Sequence, residues 1–190
     1  MPQVPVDMEG YSLQVTVSLG AVELYDVTIT GLSGEILPDM VDRMVTALEA
    51  AGGEALTPSF DEDTGVLTVA EEADGLGNHT LTVVLMDAED AVLTDFVSAV
   101  THEGNASDPL TVQFVTLWAK VMAVLSTYKA AQIDGDLVRR GDMKAYIAND
   151  GVAADGYALL DDAGTRWKIV EADIIKPGTE ILLYKLQLRR

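Results

Sequence analysis

The spacing of apolar positions changes several times along the chain, and each change marks an element. Leu13, Val15 and Val17 alternate with Gln14, Thr16 and Ser18, the period of a strand with one buried face. Past Gly20 the alternation resumes at Val22 and Leu24, then at Val27 and Ile29, which predicts a strand pair. Over residues 38–51 the period lengthens. Met40, Val41, Met44, Ala47, Leu48 and Ala51 share one helical face, opposite Asp39, Asp42, Arg43, Thr46 and Glu49. Pro38 suits the first turn of that helix, and Gly52 with Gly53 suits its end. Strand signals return over 66–69 and 80–85, on either side of a turn-rich run at 74–78. A second, shorter helix is predicted over 90–100, with Val92, Leu93, Phe96, Val97 and Val100 as its apolar stripe.

Beyond residue 110 the pattern is more uniformly β. Val112, Phe114, Thr116 and Trp118 share one side of a strand, which 121–125 continues or pairs with. Turn signals at Asp134-Gly135, Asp150-Gly151, Ala163-Gly164 and Pro177-Gly178 recur at the spacing of a small barrel or sandwich. In the closing strand Leu182, Tyr184, Leu186 and Leu188 alternate with Leu183, Lys185, Gln187 and Arg189. The first set belongs in a core, so Lys185 and Arg189 point together to the other face. The expected fold class is therefore mainly β: a small C-terminal β-barrel with a projecting loop, preceded by an N-terminal α+β module.

Charge sharpens the division. Residues 1–119 carry one basic side chain, Arg43, against 21 acidic ones, whereas residues 120–190 carry 11 basic against 10 acidic. With the Gly, Asn, Ser, Asp and Pro cluster at 103–109, this places a boundary near residue 110. It separates an acidic α+β accessory module (1–110) from a barrel (111–190). A net charge of -19 repels phosphates, so nucleic acid is not an expected ligand.

Composition removes most catalytic chemistry. There is no cysteine, and His79 and His102 are the only imidazoles, so thiolate and His-rich metal sites are excluded. Neither histidine lies near a nucleophile signature, and no phosphate-cradling glycine loop can be read. Asp61, Glu62 and Asp63, like Asp161 and Asp162, lack EF-hand spacing and read as solvated turn acids. Arg140-Gly141-Asp142 spells an adhesion tripeptide, but its flanks read as a turn inside a domain. The sequons at Asn78 and Asn105 require a secretory pathway. The opening MPQVPVDMEG shows no basic stretch leading into an apolar run, and the most apolar segment, 111–125, is broken by Gln113 and Lys120. A soluble protein made in a cytoplasm is expected, with no enzymatic activity, cofactor, metal or membrane contact.

One ordered set of residues points to a family. Tyr128, Ile133-Asp134-Gly135, Gly141-Asp142, the Trp167 to Val170 strand, Pro177-Gly178 and the closing Tyr184-x-Leu186-x-Leu188-Arg189 span residues 128–190. In this order the set resembles the head-closure proteins of tailed bacteriophages, also called stopper or head-completion proteins. The resemblance implies a small β-barrel carrying a long loop, with subunits in a ring around the DNA channel of the neck. It implies a non-enzymatic virion protein, assembled in the host cytoplasm, that closes the filled head and offers the tail an attachment surface. The implied partners are further copies of the chain, a portal or adaptor ring, and a tail terminator or tail tube protein. DNA would be channel content only.

The implied interface is the loop with Ile133, Asp134, Gly135, Leu137, Arg140, Gly141 and Asp142, joined by the basic end, Lys185, Arg189 and Arg190. Gly135 and Gly141 permit the positive φ that such turns need. Arg189 is the expected anchor, its planar fork directed to a carboxylate of a protein partner. The resemblance does not cover the acidic first part. Its passage 27–85 is distantly similar to small α+β modules of phage tail and baseplate proteins, and its acidity suits a place outside the ring. Two alternatives stand beside this reading: another phage tail protein, such as a tail terminator or baseplate-associated protein, and an unrelated acidic hydrolase or ligand-binding domain.

Overall fold

The computed structural model describes residues 1–71, 79–101, 109–133, 135, 137–148, 157–178 and 182–190. The predicted turn at 74–78, all of the linker but Pro109, Asp134, His102, Asn78, Asn105 and the Asp150-Gly151 turn lie outside them. The protein is mainly β, with one α-helix among the described residues.

The chain opens on a short strand, β1 (Gln3–Pro5), and then leaves it. Met8–Thr116 form one compact unit, and Met1–Asp7 with Leu117–Arg190 form the other. The composition shift near residue 110 thus falls just before the crossing at Thr116–Leu117. Nothing in the polarity of the first seven residues announced that they belong with the C-terminal strands.

In the Met8–Thr116 unit, β2 (Ser12–Leu19) and β3 (Val22–Thr30) form the expected hairpin, with Leu13 opposite Ile29 and Val15 opposite Val27. Gly20 takes φ 59, as the first residue of a two-residue hairpin turn requires. The helix α1 (Leu37–Gly52) follows the 3.6 period and buries Leu37, Met40, Val41, Met44 and Leu48. It packs against β3 and β4 (Leu56–Asp61). β4 pairs with β5 (Val66–Glu71) through a turn in which the Asp61 carboxylate accepts the N–H groups of Asp63 and Thr64. β6 (His79–Met86) joins β2 in the first sheet.

The helix expected over 90–100 is not formed. The Asp87 carboxylate accepts the N–H groups of Glu89 (3.0 Å) and Ala91 (2.8 Å), and Asp90 adopts φ 64, a conformation no α-helix accommodates. The chain then forms β7 (Val92–Leu93) and β8 (Val97–Thr101), which pair with β6 and with β9 (Leu110–Phe114). Two four-stranded sheets result, ordered β3-β2-β6-β7 and β4-β5-β9-β8.

Gly31 ends β3 where its N–H donates to the Tyr11 carbonyl. A Cβ at Gly31 would overlap the Met8 carbonyl, which also accepts the Tyr11 N–H. Gly31→Ala should therefore destabilise this unit by about 3 kcal/mol, since backbone and not a pliable side chain must move. Chemical denaturation would check it; an unchanged midpoint would show that the turn at Met8 yields.

The other unit holds the second departure from the predicted strands. The alternation over 112–118 is split, because β9 ends in the first unit while β10 (Trp118–Lys120) pairs with β1 in the second. β11 (Ala123–Thr127), β12 (Met143–Ala148), β13 (Ala158–Leu160), β14 (Arg166–Ile175) and β15 (Leu183–Arg189) complete one sheet, ordered β10-β1-β13-β14-β15-β12-β11. Its two edge strands follow each other in the chain with only Val121 and Met122 between them. The Val121 N–H still donates to Pro2 on the β1 side, and the Met122 carbonyl already accepts from Ala148 on the β12 side. A sheet whose two edges share one segment must curl, and this one forms a half-barrel. Val4, Val121, Ile147, Leu159, Ile169 and Leu186 fill its concave side. A bulge between Ile169 and Glu171 adds to the bend.

Candidate functional site

The expected interface loop leaves β11 and returns at β12. Tyr128 comes first, its ring under the Lys144 ammonium at 4.8 Å. One 3-10 turn, Ala130–Gln132, follows, capped by the Lys129 N–H donating to the Gln132 side chain (3.1 Å). Gly135 (φ 89) donates its N–H to Val138, and Gly141 (φ 102) turns the chain into β12. Both glycines do what the turn chemistry predicted.

The loop's position is fixed by β15, forty-five residues away in sequence at the nearest contact. Asp142 is almost wholly buried, and its carboxylate accepts the Arg139 N–H (3.0 Å), the Gln187 amide (2.8 Å) and both prongs of the Arg189 guanidinium (2.9 and 2.8 Å). The Leu137 carbonyl accepts from Gln187 (2.6 Å) and from Arg189 (3.2 Å). Gln187 is buried because the loop lies over it, although the strand period put it on the outer face. The hydrogen bond from Arg189 holds the Asp142 carboxyl well below the usual carboxylate range; burial works against this, and the Arg139 and Gln187 donors add to it.

The clamp holds the backbone and leaves side chains outside. Leu137 is 76% exposed, Arg140 and Gly141 are exposed, and Ile133 is half-buried. Asp134 lies outside the described residues. The adhesion-like tripeptide is not displayed as such, because its Asp142 carboxylate is fully engaged within the unit.

The basic end also finds internal partners, which corrects the expectation that its charges need another protein. Arg189 gives its fork to Asp142, so the carboxylate expected on a partner is the chain's own. Lys185 meets Asp173, its cross-strand neighbour on β14, at 2.6 Å, and that hydrogen bond raises the lysine's pKa. The Arg190 guanidinium lies over the Trp167 ring at 5.4 Å.

The other acids singled out in the sequence have structural duties. The Asp161 carboxylate accepts the Trp167 indole N–H (3.0 Å) and the N–H groups of Ala163 and Thr165, holding the β13–β14 turn; the indole hydrogen bond leads in lowering its pKa. Glu35, buried, accepts a bidentate pair from Arg43 (2.6 and 2.8 Å) and the Leu32 N–H. Burial alone would raise the Glu35 carboxyl, and these donors outweigh it, leaving its pKa lowered. His79 is buried, and its Nδ1 has no hydrogen-bond partner among the described residues. Among those residues no group of three or more His, Asp or Glu is placed to hold a metal, and no helix is long and apolar enough to cross a membrane.

Gln187, Arg139 and the Leu137 carbonyl are the members of the site that sequence reasoning missed. Their roles arise from one contact between residues far apart in the chain, for which a single sequence carries no signal. No known protein family, curated protein or solved structure matches the chain.

Proposed function

We propose that the protein is a structural component of the neck of a tailed phage, in which copies form a ring that closes the DNA-filled head and presents the surface the tail attaches to. In this reading the half-barrel is the small barrel of the head-closure family, and Met8–Thr116 is an α+β accessory module inserted between β1 and β10. A portal or adaptor ring would bind one side and a tail terminator or tail tube protein the other, with DNA only as channel content. No catalysis, cofactor or metal is part of the role.

The observation that carries the reading is the clamped loop. A docking element works best when its backbone is ordered before binding and its anchor side chain is left out in solvent. Leu137 meets both conditions: its carbonyl takes two hydrogen bonds from β15 while its side chain stays exposed. Ile133, half-buried, is a support and not an anchor.

Negative-stain imaging of the purified protein and assembly of particles test this together. Rings are expected for the wild type. Leu137→Asp combined with Arg140→Glu changes two exposed side chains, so the variant should keep its thermal midpoint while heads fail to join tails. Normal joining by that variant would remove the loop from the interface, and a protein that neither forms rings nor enters particles would remove the neck reading altogether.

A further inference from the structure

Strand β11 is an edge of the seven-stranded sheet, and its register shows which backbone groups have no strand partner among the described residues. Ala148 donates its N–H to the Met122 carbonyl at 3.1 Å, in line with the β11–β12 pairing. In an antiparallel ladder alternate residues face the partner, so Met122, Val124 and Ser126 turn their N–H and C=O groups toward β12. Ala123, Leu125 and Thr127 turn theirs the opposite way. On that side the ladder with β1 uses Leu117, Ala119 and Val121 and ends at the Val121 to Pro2 bond. No described strand pairs with Ala123, Leu125 or Thr127.

Among the described residues this edge lacks the usual protections. Its sequence, AVLST, contains no charge and no proline, and its pairing with β12 has no bulge. The solvent face beside its Met122 and Val124 end is apolar as well, while Lys144 stands opposite Ser126 at the other end. Met122 is 73% exposed and Val124 67%; Tyr146 stands opposite Val124, and Ala148, Leu183 and Ile175 continue the row from Met122 across three more strands. An open backbone edge bordered by exposed apolar side chains is a surface built to receive a strand.

We infer that the occupant is a second copy of this chain, its β11 running antiparallel to the first. Centred on Leu125, that pairing sets Ala123 opposite Thr127 of the partner subunit and gives every outward N–H and C=O a partner. An antiparallel pair keeps matching faces together, so the two Met122, Val124 and Tyr146 surfaces merge into one. Charge favours the same choice. Copies of a chain with net charge -19 repel each other chiefly through residues 1–119, and β11 lies in the stretch where 11 basic side chains balance 10 acidic ones. The contact is two-fold and rests on the sheet edge, independently of the neck reading.

Sedimentation velocity of the full-length protein over a range of concentrations tests it. The wild type should show a concentration-dependent doubling of mass, of the monomer or of any ring it forms. Val124→Lys places a charge on the exposed face, and Thr127→Pro removes an outward N–H that β12 does not use; each should weaken the dimer at least about tenfold. Both should unfold at the wild-type midpoint, while Leu182→Lys, exposed but off the edge, should dimerise normally. A wild type that shows no such doubling, or a dimer that survives both variants, overturns the contact. Rings seen by negative stain in either variant would leave the neck reading standing while the dimer contact is judged by sedimentation alone.

Discussion

A chain lacking residues 1–6 should lose the cooperative unfolding of the half-barrel while Met8–Thr116 unfolds as before. β1 is a lining strand of the half-barrel and not a loose end: it pairs with β10 on one side and meets β13 on the other, and Val4 is fully buried in the core. Its removal exposes the core at Val121 and Leu159 and strands the N–H and C=O groups of β10 that it satisfied. The lost burial of Val4 is worth about 2 kcal/mol, and each orphaned backbone group costs about 1 kcal/mol or more, against a typical domain stability of roughly 5–15 kcal/mol. Calorimetry resolving two transitions would show one vanish. The converse change should be tolerated. Val6 donates to the Leu117 carbonyl at 3.0 Å, so Asp7 and Leu117 stand where a short turn can join β1 to β10. Replacing 8–116 with such a turn should leave a folded half-barrel; two intact transitions in the shortened-terminus chain would show instead that β1 is dispensable.

Much of this architecture could be read from local periodicity, because local periodicity is what set it. Leu13, Val15 and Val17 alternate and are buried, and the five helix residues from Leu37 to Leu48 follow the helical period into the same unit's core. Leu186 and Leu188 do the same in β15. Reading failed where a local signal competed with one that period does not report. Val92, Val97 and Val100 fit a helical stripe, but the Asp87 side chain had already captured the backbone of the turn before them. Val112, Phe114, Thr116 and Trp118 are spaced to share one side of a strand, yet the chain passes from one unit to the other within that run. In the site, the glycines at 135 and 141 were legible from turn chemistry. The burial of Asp142 was not, because it depends on Gln187 and Arg189, and their spacing in a strand reports only which face they share.

Asp142→Ala should destabilise the half-barrel by about 3 kcal/mol and free the loop it anchors. The carboxylate is buried, and its loss leaves the Arg189 Nε–H without an acceptor and the Gln187 amide with the Leu137 carbonyl alone. Arg189→Ala should also destabilise the half-barrel, since it leaves the buried Asp142 charge without its cation. The double variant should cost less than the sum, because the two side chains act as one unit. Acidity gives an independent check with a fixed sign. The folded-state pKa of Asp142 lies well below its unfolded value near 4, so its contribution is complete above that value and is lost as pH falls toward the folded one. The gap in stability between wild type and Asp142→Ala should therefore be constant at neutral pH and shrink as pH drops below about 4. Function should follow the loop: with the Leu137 carbonyl less firmly held, residues 137–140 should become cleavable by trypsin at Arg139 and Arg140, and particle assembly should fall even at temperatures where the variant remains folded. A variant with the wild-type midpoint and an uncut loop would show that Gln187 and Arg189 hold Leu137 without Asp142.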